Sequence, residues 1–270
     1  MINYSEDAFA AMLLTMALSP DKEEYARPCS VSEFRALETA VRHSRFGRIG
    51  NMVDIDVSAL QMYLGIEDKE ALRLFTLLSR SVQLVYVLEQ LDAQGIEPVT
   101  CYDEIYPRRV ARKLGADAPV FFFRGGNPEL ARGGRAVALI GVRGVRTSEA
   151  VRKTIATLVR EVSARGCAII TGGEPGVSRV AAHEAQACGG RLLEVLGGGL
   201  SERLTQPDFK AMGDNAAALS LVHPDALFTS RHAAARNRLL MSLSDAAFIF
   251  NTDGRRGESE LTRGRLCDWI

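Results

Sequence analysis

Three apolar runs in the second half of the 270-residue chain each end in glycine, and glycine is where bare backbone can meet a ligand. Ala136-Val137-Ala138-Leu139-Ile140 turns at Gly141-Val142-Arg143-Gly144, and Cys167-Ala168-Ile169-Ile170 ends at Thr171-Gly172-Gly173-Glu174-Pro175-Gly176. Leu192-Leu193-Glu194-Val195-Leu196 ends at Gly197-Gly198-Gly199. Such turns let N–H groups aim at an anion, and the N-terminus of a following helix adds a favourable field. Further on stands Arg236-Asn237-Arg238, near the start of a segment whose apolar face is Leu239, Leu240 and Leu243. A packed helix has no need of that density of guanidinium and amide, whereas guanidinium forks match phosphate oxygens in pairs. The chemistry these residue types suit is the holding of a phosphorylated ligand.

The elements that position them follow from periodicity. Residues 147–165 carry Ala150, Val151, Ile155, Leu158, Val159 and Val162 at helical spacing, with Thr147 or Ser148 as cap and Gly166 as stop. A shorter helix is expected over 178–188. Strand, glycine turn and helix thus repeat, the pattern of an α/β parallel sheet covered by helices on both faces. Ligands of such sheets gather at the carboxyl ends of the strands, which is where the glycines lie. Further strands are expected at 97–102, 119–125, 217–221 and 246–250, and a short helix at 108–114. Residues 1–95 read as a smaller helical N-terminal domain ahead of a sheet domain over 96–270. Its signals are a capping-box pair at Ser30 and Glu33, a helix stopped by Gly65, and an apolar-periodic stretch over 67–94 that splits near Ser79-Arg80-Ser81. Arg42, His43, Arg45 and Arg48 read as a solvated face.

Composition narrows the function. The 33 basic and 33 acidic residues cancel, so a nucleic-acid partner must be held by a local patch rather than by the field of the whole chain. Five cysteines without a C-x-x-C pair and four scattered histidines argue against a metal site and for a reducing cytoplasm. No apolar segment approaches the length of a membrane span, and the acidic start lacks a signal-peptide layout. The first turn, Gly141-Val142-Arg143-Gly144, is not G-x-G-x-x-G, which removes the dinucleotide oxidoreductases. No cofactor is expected, and His183 and His232 receive no role.

Taken in order, these pieces resemble the DprA/Smf DNA-processing proteins, whose nucleotide-binding-like domain belongs to the wider SLOG group. Gly95-Ile96, Asp103 and Tyr106-Pro107 resemble the family's lead-in, and Phe121-Phe122-Phe123-Arg124-Gly125-Gly126-Asn127 its next strand. Residues 137–143 resemble the strand ending in Gly-Ser-Arg, with Val142 for the serine. Residues 171–177 are similar to the loop Ser-Gly-x-Ala-x-Gly-Ile-Asp, with Ser178 where the family has aspartate and with Glu174, a carboxylate that repels phosphate, in the middle. Val195-Leu196-Gly197-Gly198-Gly199-Leu200 is similar to Val-Leu-Gly-x-Gly-Leu. Arg236-Asn237-Arg238, with the exit Leu243-Ser244-Asp245-Ala246, is similar to the family's Arg-Asn-Arg helix.

The resemblance implies a Rossmann-like fold and a non-catalytic binder of single-stranded DNA, acting as a homodimer in natural transformation and passing the strand to a RecA-type recombinase. Carried over by position, Arg143, Arg236 and Arg238 would contact phosphates, and Asn237 would fix the loop or bind a base or sugar. Backbone of Gly172, Gly173, Gly176 and Gly198 would floor the pocket, with Gly141, Thr171 and Gly197 beside them. A second reading is a small-nucleotide sensor or a nucleoside 5′-monophosphate phosphoribohydrolase of the same wider group. Gly254-Arg255-Arg256-Gly257-Glu258-Ser259-Glu260 is partly similar to the Pro-Gly-Gly-x-Gly-Thr-x-Glu loop of those hydrolases. Glu260 would then stabilise the developing oxocarbenium charge or position water, and Arg236 or Arg238 would hold the monophosphate.

Overall fold

The computed structural model describes residues 4–18, 26–141 and 148–250. Contacts within the chain divide it into two compact units. One holds the chain up to Tyr106 together with Ala111–Phe122; the other holds Pro107–Val110 and the chain from Phe123 on.

In the first unit, α1 (Glu6–Thr15) is the element the others pack around, because it is apolar on nearly every side and buries Ala8 and Ala10 through Leu14. Against it lie α2 (Val31–Arg42), α4 (Asp68–Leu78) and α5 (Ser81–Ala93), with α3 (Val57–Leu64) on α4 and β1 (Ile96–Thr100) after α5. The expected capping box closes the start of α2: Glu33 N donates to Ser30 Oγ at 3.3 Å, and Ser30 N donates to the Glu33 carboxylate at 2.8 Å. The Arg27 guanidinium, with that amide, holds the Glu33 carboxyl well below the usual carboxylate range. Gly65 ends α3 in the left-handed region, at φ 64°. The break between α4 and α5 falls at Ser79 and Arg80, and Arg80 has work there. Its Nη2 donates to the carbonyls of Leu13 and Met16, which the end of α1 leaves open. No single described helix is long and apolar enough to cross a membrane; α4 and α5 pass that test only as a pair bent by 43°.

α6 (Arg108–Leu114) and β2 (Phe121–Gly126) carry the chain between the units. Then come α7 (Pro128–Arg132), β3 (Ala136–Gly141), α8 (Glu149–Ala164), β4 (Ala168–Thr171), α9 (Val177–Ala187) and β5 (Leu192–Leu196). The short α10 (Ser201–Thr205) and α11 (Pro207–Lys210) lead to β6 (Ala216–Ser220), α12 (Ser230–Leu243) and β7 (Ala246–Phe250). The seven-stranded sheet has the order β1-β2-β6-β5-β4-β3-β7 and is flanked by helices, as the sequence predicts. β6, β5, β4, β3 and β7 run parallel, with Ile170 opposite Leu193 and Val137 opposite Ile169. β2 departs from the expected parallel sheet and pairs antiparallel with β6, from Phe123↔Ser220 to Gly126↔Ala217. An apolar run signals burial, but its composition is the same in either direction. Every residue of β4 and β6 is buried, while β7 at the edge is not. Ile155, Val159 and Val162 are the buried stripe of α8, and Ser148, not Thr147, caps it, accepting from Val151 N at 3.3 Å.

The thiols sort by depth. Burial pushes both Cys29 and Cys101 above the usual thiol pKa, whereas Cys188 is exposed just after α9. A thiolate is the species that alkylates. Iodoacetamide at neutral pH is therefore expected to modify Cys188 at least about tenfold faster than Cys29 or Cys101. Peptide mapping over time reads the rates, and equal rates would mean the helical unit opens on the labelling timescale.

Candidate functional site

β3, β4 and β5 are parallel neighbours, so their carboxyl ends share one edge of the sheet, with Gly141 at the end of β3 and the glycine turns that follow β4 and β5. What a Cβ would meet at each glycine tells why it is glycine. At Gly141 it would lie 2.3 Å from Val177 Cγ2, so the missing side chain lets α9 press onto β3. Gly173 has φ 75° and would meet Leu196 Cδ2 at 2.4 Å. Gly176, at φ 103°, starts α9 in a conformation that L side chains rarely adopt. Gly197 and Gly198 lie against Phe228 and its neighbours, and Gly199 against the carbonyl of Pro224. These turns first serve contacts of the chain with itself.

Gly172 is the informative case. A Cβ there would sit 1.7 Å from Arg236 Nη1 and 2.4 Å from Glu174 Oε2. An ion pair lies directly over this glycine. Arg236 reaches the position from the middle of α12, whose start is capped by Thr229, and it is only 5% exposed. Its Nη1 donates to Glu174 Oε2 at 3.0 Å and to the carbonyl of Val195 at 3.3 Å, and its Nη2 donates to the other carboxylate oxygen. Glu174, in the turn after β4, keeps 18% of its side chain exposed. The fork that the sequence assigned to phosphate is thus filled by a carboxylate of the same chain. Arg236 Nε and the hydroxyl of the fully buried Thr171 have no hydrogen-bond partner.

The Arg-Asn-Arg group does not act as one cluster. At roughly 100° per residue, Arg238 stands about 200° around α12 from Arg236. Arg236 faces the interior, Asn237 is half-buried and Arg238 is exposed. Arg231, seven residues before Arg238, shares its exposed side. Arg143 and Glu260 lie outside the described residues, so the phosphate role of the first and the hydrolytic role of the second have no geometry here.

Other charged residues, to which the sequence reading gave no role, complete the edge. A cavity of about 570 Å³ opens beside Gly172, Glu174, Arg179 and the Gly197–Gly199 turn. Glu194, in the centre of β5 and 2% exposed, accepts from Arg203 Nε at 2.5 Å and Nη2 at 3.2 Å. Arg203 also donates to Asp208 at 2.8 Å. Burial works against the charge of Arg203, but the bonds to Glu194 and Asp208 outweigh it and hold its pKa above the ordinary value. The same contact, chiefly its hydrogen bond, lowers that of Asp208. The sequence signal was present: one acid inside an otherwise apolar strand, with an arginine nine residues on. Among the described residues no group of histidine, cysteine and carboxylates is arranged to hold a metal.

Comparison with known proteins gives the family and the fold. The family model described as DNA recombination-mediator protein A matches residues 97–260. The structure is similar to DNA processing protein A of Streptococcus pneumoniae, with TM-score 0.65 and 18% identity over 98% of this chain and 86% of that one. It is also similar to DNA processing protein A of Helicobacter pylori, a protein described by its single-stranded DNA binding mode. There the TM-score is 0.50 and the identity 22%, over 62% of this chain and 74% of that one. No curated protein matches in sequence.

Proposed function

Since the chain belongs to the DNA recombination-mediator protein A family, we propose that it binds single-stranded DNA along the carboxyl edge of its sheet. The observation that carries this reading is the span of the family match, which takes in β1 from Glu97, every later strand, the three glycine-ended segments of the sequence and α12. The Helicobacter pylori relative, which binds single-stranded DNA, supports the same ligand. The exposed guanidiniums of Arg179, Arg231 and Arg238 neutralise backbone phosphates from outside, and the glycine turns keep the edge low enough for a strand to lie across it. Aromatic residues make up 7% of the chain, so platforms for stacking bases are few and affinity rests on phosphate contacts, which carry no sequence information; sequence preference is therefore low. Handing of the strand to a RecA-type recombinase, a homodimeric state and a cytoplasmic location belong to the same reading. The protein performs no chemistry on the strand.

The experiment is fluorescence anisotropy with a labelled single-stranded oligonucleotide over a range of salt. With three phosphate contacts, log affinity should fall against log salt with a slope of about −2. Absence of binding at low salt would overturn the reading. The 570 Å³ cavity is of a size for one nucleotide and supports the second reading, a small-nucleotide pocket. Excess AMP separates the two: it displaces the oligonucleotide only if the pocket is the main site.

A further inference from the structure

The strand-binding reading leaves one residue unexplained, a carboxylate at the centre of a site meant for phosphate. Glu174 uses both of its oxygens on the Arg236 fork, and Gly172 supplies the bare surface on which the pair sits. Carboxylate and phosphate offer a guanidinium the same two-oxygen geometry, so Glu174 occupies the seat an incoming phosphate would take. The seat is not sealed. Glu174 lines the 570 Å³ cavity and stays partly exposed, whereas Arg236 is held in place by α12 and by the Val195 carbonyl. The turn that carries Glu174 has positive-φ glycines at 173 and 176, one on each side of it. Of the two partners, the glutamate is the one with somewhere to go.

We propose that Glu174 is an internal anion that makes this site discriminate between a nucleic-acid strand and a single nucleotide. The proposal rests on the strand-binding reading. A lone phosphate must displace Glu174 by its own affinity for Arg236, against a carboxylate tethered beside it. A strand is held first by Arg179, Arg231 and Arg238, which are exposed and contact several phosphates at once. Its next phosphate is then presented to Arg236 at the high local concentration of an intramolecular partner. Exchange with Glu174 becomes favourable only for the polymer. The cavity has room for the displaced carboxylate, which returns when the strand leaves.

The test compares the wild-type protein with Glu174→Gln, which keeps the shape and one acceptor for Arg236 but removes the competing charge. AMP and inorganic phosphate are titrated by calorimetry and by their effect on the thermal midpoint, and an oligonucleotide of about 30 bases by anisotropy. Glu174→Gln is expected to bind AMP at least about tenfold more tightly than wild type, while its oligonucleotide affinity rises only about two- to threefold. Glu174→Gln combined with Arg236→Met should return AMP affinity to the wild-type level, because the gain passes through Arg236. If Glu174→Gln does not fold, Glu174→Asp carries the test, since a shorter side chain loosens the pair and should give an intermediate gain. AMP affinity within twofold of wild type in a folded variant overturns the proposal, even if the wild type binds the strand. A gain in AMP affinity together with no strand binding by the wild type keeps Glu174 as the internal anion and removes its role in choosing the polymer, along with the function proposed above.

Discussion

Glu174→Ala is expected to lower the free energy of unfolding by about 3 kcal/mol, and Arg236→Met by about half of that. The asymmetry follows from depth. Removing the carboxylate strands a guanidinium that is 5% exposed and anchored to Val195 by its own hydrogen bond, so its charge stays buried without a counter-ion. Removing the guanidinium, with methionine filling the space of its stem, leaves a glutamate that is already 18% exposed and can turn into the adjoining cavity. Water then solvates it. The double variant should cost less than the sum of the two, with a coupling of about 1–2 kcal/mol, because neither charge is left to strand the other. Urea unfolding midpoints for the four proteins measure this cycle. Strict additivity would show that the two side chains lie together without interacting, and a larger loss for Arg236→Met would show that the carboxylate, not the guanidinium, is the costlier charge to leave without a partner.

The same pair marks where reading the sequence succeeds and where it stops. The glycine turns, the capping box at Ser30, the split at Ser79–Arg80 and the helix of residues 149–164 are all local: each depends on spacings of three or four residues or on backbone freedom at one position. Periodicity and capping chemistry carry that information along the chain. The short α7, α10 and α11 are only four or five residues long, too few to establish a period. Glu174 and Arg236 are 62 residues apart, and their pairing is decided by the order in which β4, β5 and α12 come together. Sequence alone could mark Glu174 as hostile to phosphate and Arg236 as friendly to it. That the hostile residue would lie in the grip of the friendly one is a tertiary fact. Glu194 and Arg203 repeat the point at shorter range, since a buried acid in a strand announces a partner without naming it.

In sequence a glycine at the end of a strand signals an opening for a ligand, and the structure gives several of these glycines a different task. Gly199 is the sharpest instance, and it supplies the second large effect. A Cβ on Gly199 would lie 1.8 Å from the carbonyl oxygen of Pro224, 2.3 Å from its carbon and 2.8 Å from the carbonyl oxygen of His223. All three are backbone atoms, so no rotamer change relieves the overlap. The segment they belong to is stitched to this turn by Gly199 N donating to Ala226 O at 2.7 Å and Ser201 N donating to Pro224 O at 3.0 Å. Either those bonds break or the strand end shifts, and Gly199→Ala is expected to cost about 3 kcal/mol of stability. Gly134→Ala is the matched control: it has nothing within 4 Å of a Cβ and no positive φ, so it should change stability by less than about 0.5 kcal/mol or raise it slightly. Denaturant midpoints for the two variants decide the matter. Because residues 226–228 also line the cavity, Gly199→Ala should shift AMP affinity and oligonucleotide affinity by different factors, whereas a loss that is equal for both would point to general unfolding. A Gly199→Ala protein as stable as Gly134→Ala would mean that the 223–228 segment does not rest on this turn in solution, and that the third glycine turn is open to a ligand after all.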